Sequence, residues 1–325
     1  MELLPLTLEF HQVEERTQDL LDESKTTDDD GKANADALEE PITCLANVIK
    51  FSIEVVKKPD KETLRCKQQC DLWAYCWASG AVLAEILLQR EVQNKVLENK
   101  KVIELGCGLG LPSLACSYPR NCQVAATDLV EDALDLVTRN DEAINPSTER
   151  TDKGEHGSKL CTSRLNWHDW GSIEIPNTVI ESPLYKNFDI CLAADVTFIG
   201  SNLKPVLRSI SRLLASAESV AVLVDPGRIP GLSELDSYAE DCGLQVIWQT
   251  TFSNVECPVC TLQKLDIAIV KKLCSNLSGN EMHHVNDDDD VLRKTSRNLL
   301  QYRQDLHRSR GGNTTTSHHT LQLPT

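Results

Sequence analysis

Three glycines spaced as GxGxG, Gly106, Gly108 and Gly110, follow the apolar run Val102-Ile103-Glu104-Leu105 and precede residues 111–117, which read as the first turns of a helix. Two acids bracket them. Glu104 lies two residues before the first glycine, and Asp128 ends the run Val124-Ala125-Ala126-Thr127-Asp128. Together these residues could form a ligand cradle. Glycine lets a backbone turn sharply and lets a ligand lie against it with no Cβ in the way. A helix that begins at such a turn offers unpaired N–H groups to an anionic group. A carboxylate about 20 residues beyond the glycines is placed to accept hydrogen bonds from ribose hydroxyls. The glycines alone mark a nucleotide-type ligand without choosing one. Glu104 narrows the choice, because it suits a cationic end group better than a pyrophosphate.

Further residues with chemical potential cluster in four short stretches. Trp73, Tyr75 and Trp77 crowd five residues of a chain that is 5% aromatic. They form either a lid over the core or a π face for a ligand's cationic end, and Trp77 is the candidate for the second role. Asn166-Trp167-His168-Asp169-Trp170 follows an apolar run, and its lone His168 reads as a surface residue rather than a base. Asp195-Val196-Thr197-Phe198 ends another run, where an acid and an aromatic would meet a ligand. Cys257-Pro258-Val259-Cys260 is a single CxxC without a second pair or a histidine partner. It reads as a β-turn with incidental thiols, so no metal is expected.

The elements that must position these residues alternate between strand and helix. Residues 47–57 alternate apolar and polar side chains as a half-buried strand does, and residues 63–70 could return as its partner. Residues 71–90 predict a helix, capped by Asp71 or Ser79. Strands are expected at 102–105, 124–128, 160–165, 188–195, 220–224, 244–251 and 265–270. The run at 188–195 is continuously apolar, as a parallel strand buried on both faces should be. Helices are expected at 129–140, 203–214 and 232–242, the last stopped by Gly243.

Two of these stretches carry a resemblance. The third glycine comes after one residue, and with Glu104 and Asp128-Leu129 this resembles the AdoMet-binding motif of class I, seven-strand methyltransferases. Trp73-Ala74-Tyr75-Cys76-Trp77-Ala78-Ser79-Gly80 before that turn, and Asp225-Pro226-Gly227-Arg228 after the fifth strand, are similar to the family-16 lysine methyltransferases. Within that family the likeness is to the electron-transfer-flavoprotein β-subunit group.

The resemblance implies an α/β fold with a Rossmann-like seven-stranded sheet, helices on both faces and an antiparallel seventh strand. It implies AdoMet as cofactor, held by Trp77, Glu104, Gly106, Gly108, Gly110, Asp128, Trp170 and Asp195. Trp167 and Asp169 are further candidates beside the adenine. Asp195 and Phe198 would be the catalytic pair, matching a D/E-x-x-Y/F motif; relatives usually carry Tyr at the last position, and Phe198 lacks that hydroxyl. The implied reaction is methyl transfer to a lysine of a protein substrate. Alternatives are a nicotinamide-type small-molecule N-methyltransferase, a silent AdoMet-binding partner and a nicotinamide-dinucleotide enzyme.

Bulk properties bound the rest. The 325 residues suffice for one large α/β domain with extensions. A formal charge of −16 without a basic tract argues against a nucleic-acid partner. No segment approaches the roughly 18 apolar residues of a membrane span. Thirteen scattered cysteines, an odd count, fit reduced thiols better than a disulfide framework. A monomer in the cytoplasm, with or without the nucleus, is expected. Composition predicts an acidic, solvated extension over residues 1–44, although the first dozen residues could lie on the domain as a strand. The methyltransferase domain is expected over 45–272. A polar tail follows over 273–325, with a possible short helix at 293–304.

Overall fold

Apolar periodicity in the first fifty residues builds a long two-stranded ribbon. The computed structural model describes residues 3–16, 42–56, 72–118, 122–145, 160–197, 202–227, 232–273 and 287–310. Strand β1 (Leu3–Arg16) pairs antiparallel with β2 (Ile42–Val56), with a register shift between Gln12 and Val13. Leu6, Leu8 and Phe10 alternate inward with Phe51, Ile53 and Val55, following the period-two geometry of a strand. Phe10 meets Phe51 edge-on, their ring centroids 5.2 Å apart. Residues 3–16 and 42–44 are therefore strand, where average composition predicts a solvated extension. Glu9, paired with Lys50, sits on the outer face, away from Leu6, Leu8 and Phe10. The partner of β2 is β1; the return strand expected at 63–70 lies outside the described residues.

After a 3-10 turn (Leu72–Ala74), helix α1 spans Ala78–Leu87. Trp77 occupies its N-cap without a side-chain bond, and Ser79 is buried inside the helix instead of capping it. Asp71, the other expected cap, lies outside the described residues. The helix is apolar on almost every side because it packs between α2 (Leu111–Ser117), the sheet and β1. Its one buried acid, Glu85, has a specific partner, described below. A π-helical turn (Val92–Leu97) then leads into the sheet.

The sheet strands are β3 (Lys101–Leu105), β4 (Gln123–Asp128), β5 (Leu160–Arg164), β6 (Ile190–Ala194), β7 (Val220–Asp225), β8 (Leu244–Glu256) and β9 (Thr261–Lys272). Their order is β5-β4-β3-β6-β7-β9-β8, with β9 antiparallel to both β7 and β8 and the other pairs parallel. This is the mixed seven-stranded, Rossmann-like sheet with an antiparallel strand that the resemblance implies. Helix α3 (Glu131–Ile144) joins α1 and α2 over one face. Over the other face lie the short α4 (Trp167–Trp170) and α5 (Asn177–Ile180), then α6 (Leu203–Leu213) and α7 (Leu232–Asp241). Side chains alternate accordingly. Val102 of β3 enters the first core, and Ile103 and Leu105 enter the second.

The chain closes with α8 (Asp287–Ser309), a 23-residue helix in the stretch expected to be a polar tail. Leu292, Leu299 and Leu300 are buried along one face, a stripe thinly spread through a polar sequence. Buried ion pairs dock it. Arg303 pairs with Glu85 of α1, and Lys271 of β9 lies 2.5 Å from Asp289. Glu85 also accepts the backbone N–H of His11 at 2.6 Å, so one carboxylate joins α1, β1 and α8. Among the described residues no helix is long and apolar enough to cross a membrane.

Candidate active site

The strand order reverses direction between β3 and β6, and ligands of open α/β sheets bind at the carboxyl ends of strands beside such a switch. Leaving β3, the chain passes through Gly106, Gly108 and Gly110, all with left-handed φ between +51° and +71°. At Gly106 a side chain has no room, since a Cβ would stand 2.8 Å from the Trp167 ring and 3.1 Å from Val196. At Gly108 a Cβ would press on the backbone carbonyl of Trp73 at 3.0 Å. The turn is thus enclosed by the exit of β5, the exit of β6 and the segment that leads into α1. Gly110 heads α2 at its N-cap.

The two bracketing acids are both buried. Asp128 accepts from Gly108 N through Oδ2 and from Val130 N through Oδ1, each at 3.0 Å. Burial raises its carboxyl above the usual range, and those backbone bonds oppose the rise. The Asp128 carbonyl accepts from Leu165 N at 2.9 Å, which fixes the start of the segment carrying Trp167. Glu104 turns beneath the glycines. Its Oε2 accepts from Ser113 N at 2.9 Å and from Ser113 Oγ at 2.5 Å, which ties the end of β3 to the first turn of α2. Burial pushes Glu104 up to about 8, and nearby Asp128 adds to the rise. The sequence places Glu104 where it suits a ligand's cationic end, and in the structure its Oε2 is held by Ser113.

Asp195 follows β6 and takes a left-handed φ of 60°, uncommon for a residue with a side chain. Its N–H donates to Val224 O at 2.9 Å, pinning it across to β7. Such conformations concentrate at functional sites. Two residues on, Thr197 Oγ1 donates to the buried Asp225 at the end of β7. Trp77 is 40% exposed at the head of α1, its ring tilted edge-on to Tyr75 with centroids 5.9 Å apart.

The structure brings together Glu104, the three glycines, Asp128, Trp167 and, through Val196, the exit of β6 with Asp195. It separates the two tryptophans of α4. Trp167 packs on Gly106, whereas Trp170 is buried in the core under α4. His168 and Asp169 are exposed. Phe198 and Arg228 lie outside the described residues. Cys257 and Cys260 sit at the β8–β9 hairpin turn with their sulfurs 3.9 Å apart. Among the described residues no cluster of three or more candidate ligands could hold a metal. Sequence reasoning misses Ser113, Val196 and the Trp73 carbonyl. Only Ser113, a hydroxyl in the first helical turn, carries a local signal.

A family profile described as lysine methyltransferase matches residues 58–226, about half of the chain. The protein N-terminal and lysine N-methyltransferase EFM7 of Yarrowia lipolytica is 29% identical over 178 residues, 53% of this chain and 64% of that protein. The calmodulin-lysine N-methyltransferase of Arabidopsis thaliana is 28% identical over 173 residues, 53% of this chain and 51% of its own. The chain spans about half to just under two thirds of the length of these two curated relatives. A SAM-dependent methyltransferase structure from Methanosarcina mazei gives a TM-score of 0.41 at 15% identity, over 57% of this chain and 98% of that one. The narrower likeness to the electron-transfer-flavoprotein group rests on the motifs alone.

Proposed function

Because this chain belongs to the lysine methyltransferase family, we propose that it transfers a methyl group from AdoMet to the ε-amine of a lysine carried by a protein substrate. One observation carries the reading: two buried carboxyls, Glu104 and Asp128, flank a glycine turn backed by an indole. A cationic ligand end beside the turn would lower these raised carboxyls and be held by their ionised forms, whereas a pyrophosphate would raise them further. This speaks for AdoMet and against a dinucleotide. AdoMet supplies a methyl group on a sulfonium, which a nitrogen lone pair can displace in line.

In this reading Asp128 accepts from the ribose hydroxyls, and the glycine turn lets the amino-acid portion lie close to the backbone. Trp167 forms the adenine wall in place of Trp170, which supports α4 from the core. Trp77 stands at the mouth. Glu104 acts as a positioning residue through Ser113.

Positioning accounts for most of the catalysis in such a displacement. The acceptor lysine must arrive neutral, since an ammonium has no lone pair, and a desolvated pocket lowers its pKa. Asp195 orients the amine by accepting a hydrogen bond. The described cysteines are all free, which supports a reducing compartment, the cytoplasm with or without the nucleus.

Asp195→Ala should lower turnover by about a hundredfold or more while leaving AdoMet affinity within a few-fold. Asp195→Asn, which tolerates the left-handed backbone, controls for strain. A large loss of AdoMet binding in both variants would move Asp195 from acceptor to cofactor site.

A further inference from the structure

A second cleft lies at the opposite edge of the sheet from the glycine turn. Lys186, just before β6, and Lys272, at the end of β9, line it together with Arg208 and Arg212 from α6. Its volume is about 400 Å³. Because β9 runs antiparallel, its last residue sits beside the starts of the parallel strands. Lys272 therefore stands a strand's length, roughly 15 Å, from the strand ends that bear the candidate active site.

Four cations share this cleft in a chain of formal charge −16. Among the described residues none of them has a carboxylate within ion-pair distance. Their visible partners are neutral. Arg212 donates to the carbonyls of Trp170 and Ser172, and Arg208 donates to that of Gly171 at 3.4 Å. Lys272 donates to Leu214 O at 3.0 Å, and Lys186 stands over the Tyr185 ring, 5.2 Å from its centroid. The one acid on the cleft wall, Asp241, is already paired with Lys204 at 3.0 Å. Burial holds Lys272 and Arg212 below their usual pKa, and the neighbouring cations Lys186 and Arg208 add to that.

Beside these charges the surface carries two isoleucines, with the exposed Glu174 between them. Ile173 is 84% exposed and Ile175 is 39% exposed, both in the segment that follows α4. An uncompensated positive cleft bordered by exposed isoleucines fits a ligand with dispersed negative charge and an apolar side chain. Both terminal nitrogens of Arg212 are engaged with carbonyls, so it supplies positive field rather than the open fork that grips a phosphate. At physiological ionic strength charges beyond about 8 Å are screened, so the local cations outweigh the distant acids of the chain.

We propose that this cleft docks an acidic segment of a partner protein, its carboxylates meeting Lys186, Arg208 and Lys272 while an apolar side chain lies on Ile173 and Ile175. The proposal is independent of the methyl-transfer reading, because it uses no residue of that site.

Fluorescence anisotropy with the full chain tests it, using a fluorescein-labelled short peptide of Glu, Asp and Leu. The account expects saturable binding that weakens with salt. Lys186→Glu and Ile173→Asp, both at the surface, should each weaken it by about tenfold with unchanged thermal melting. Absence of saturable binding, or binding that neither variant alters, would overturn the proposal. Displacement of the peptide by inorganic phosphate at equal concentration would also overturn it, by reassigning the cleft to a small anion.

Discussion

The backbone N–H of Gly108 donates to Asp128 Oδ2 at 3.0 Å, so the carboxylate expected at a ligand's ribose also fixes the shape of the turn that receives it. The same side chain holds Val130 N through its other oxygen. Asp128→Ala leaves two buried donors without partners and should cost about 1–3 kcal/mol of stability. Calorimetric AdoMet affinity should fall by more than tenfold. Asp128→Asn, which keeps one acceptor oxygen, should lie between the two, and equal affinity in all three proteins would contradict the assignment.

Glu104 gives the fold a pH dependence of definite sign. Its folded value near 8 exceeds the ordinary 4.5, so the folded chain holds a proton that the unfolded chain releases. The stabilisation is complete below about 4.5 and is lost as pH rises through about 8. Glu104→Gln cannot titrate. Urea unfolding should show wild type losing ground to this variant with rising pH, by up to about 1.4 kcal/mol per unit within that window. Parallel curves would show that Glu104 is ionised throughout.

The clasp formed by Glu85 and Arg303 is buried on both sides, at 1% and 4% side-chain exposure. Removing one partner strands the other's charge, so Arg303→Met should cost about 3–5 kcal/mol in chemical denaturation. The double variant Glu85→Leu with Arg303→Met should recover much of that loss, because an apolar pair needs no compensation. A loss under 1 kcal/mol in the single variant would mean that this clasp does not hold α8.

At the β8–β9 turn, the Cys257 thiol hydrogen-bonds to Cys260 and lowers it to about 7. Burial raises Cys107, Cys116 and Cys191 instead. Iodoacetamide at neutral pH should therefore label Cys260 well before those three, followed by peptide mass mapping. Cys257→Ala should shift the midpoint of Cys260 labelling upward in pH. An unmoved midpoint would remove the thiol–thiol bond from the account.

The seven-stranded sheet was legible because each buried strand is a local apolar run and the glycine turn has a fixed spacing. Asp128 was legible for the same reason, since it ends one of those runs. Features that depend on distant partners were legible only in part, as a possible strand in the first dozen residues and a possible short helix at 293–304. The inward face of β1 is three alternating residues, Leu6, Leu8 and Phe10, inside an acidic stretch, and it becomes a strand only because β2 covers it. Helix α8 carries few leucines among many charges, and what anchors it is Glu85, more than 200 positions away in the sequence. Trp167 and Trp170 are chemically alike at three residues' spacing. Only the turn of α4 decides that the first meets Gly106 and the second enters the core.

The central claim is methyl transfer from AdoMet to protein lysine, and label transfer tests it most directly. The purified 325-residue chain would be incubated with tritiated AdoMet and an extract of its own cell type. Protein and small-molecule fractions would be counted separately, and labelled protein hydrolysed for methyl-lysine, with Asp128→Ala as control. The account predicts label in protein, recovered as methyl-lysine and absent with the variant. Label confined to small molecules, or no label although AdoMet binds, would contradict it.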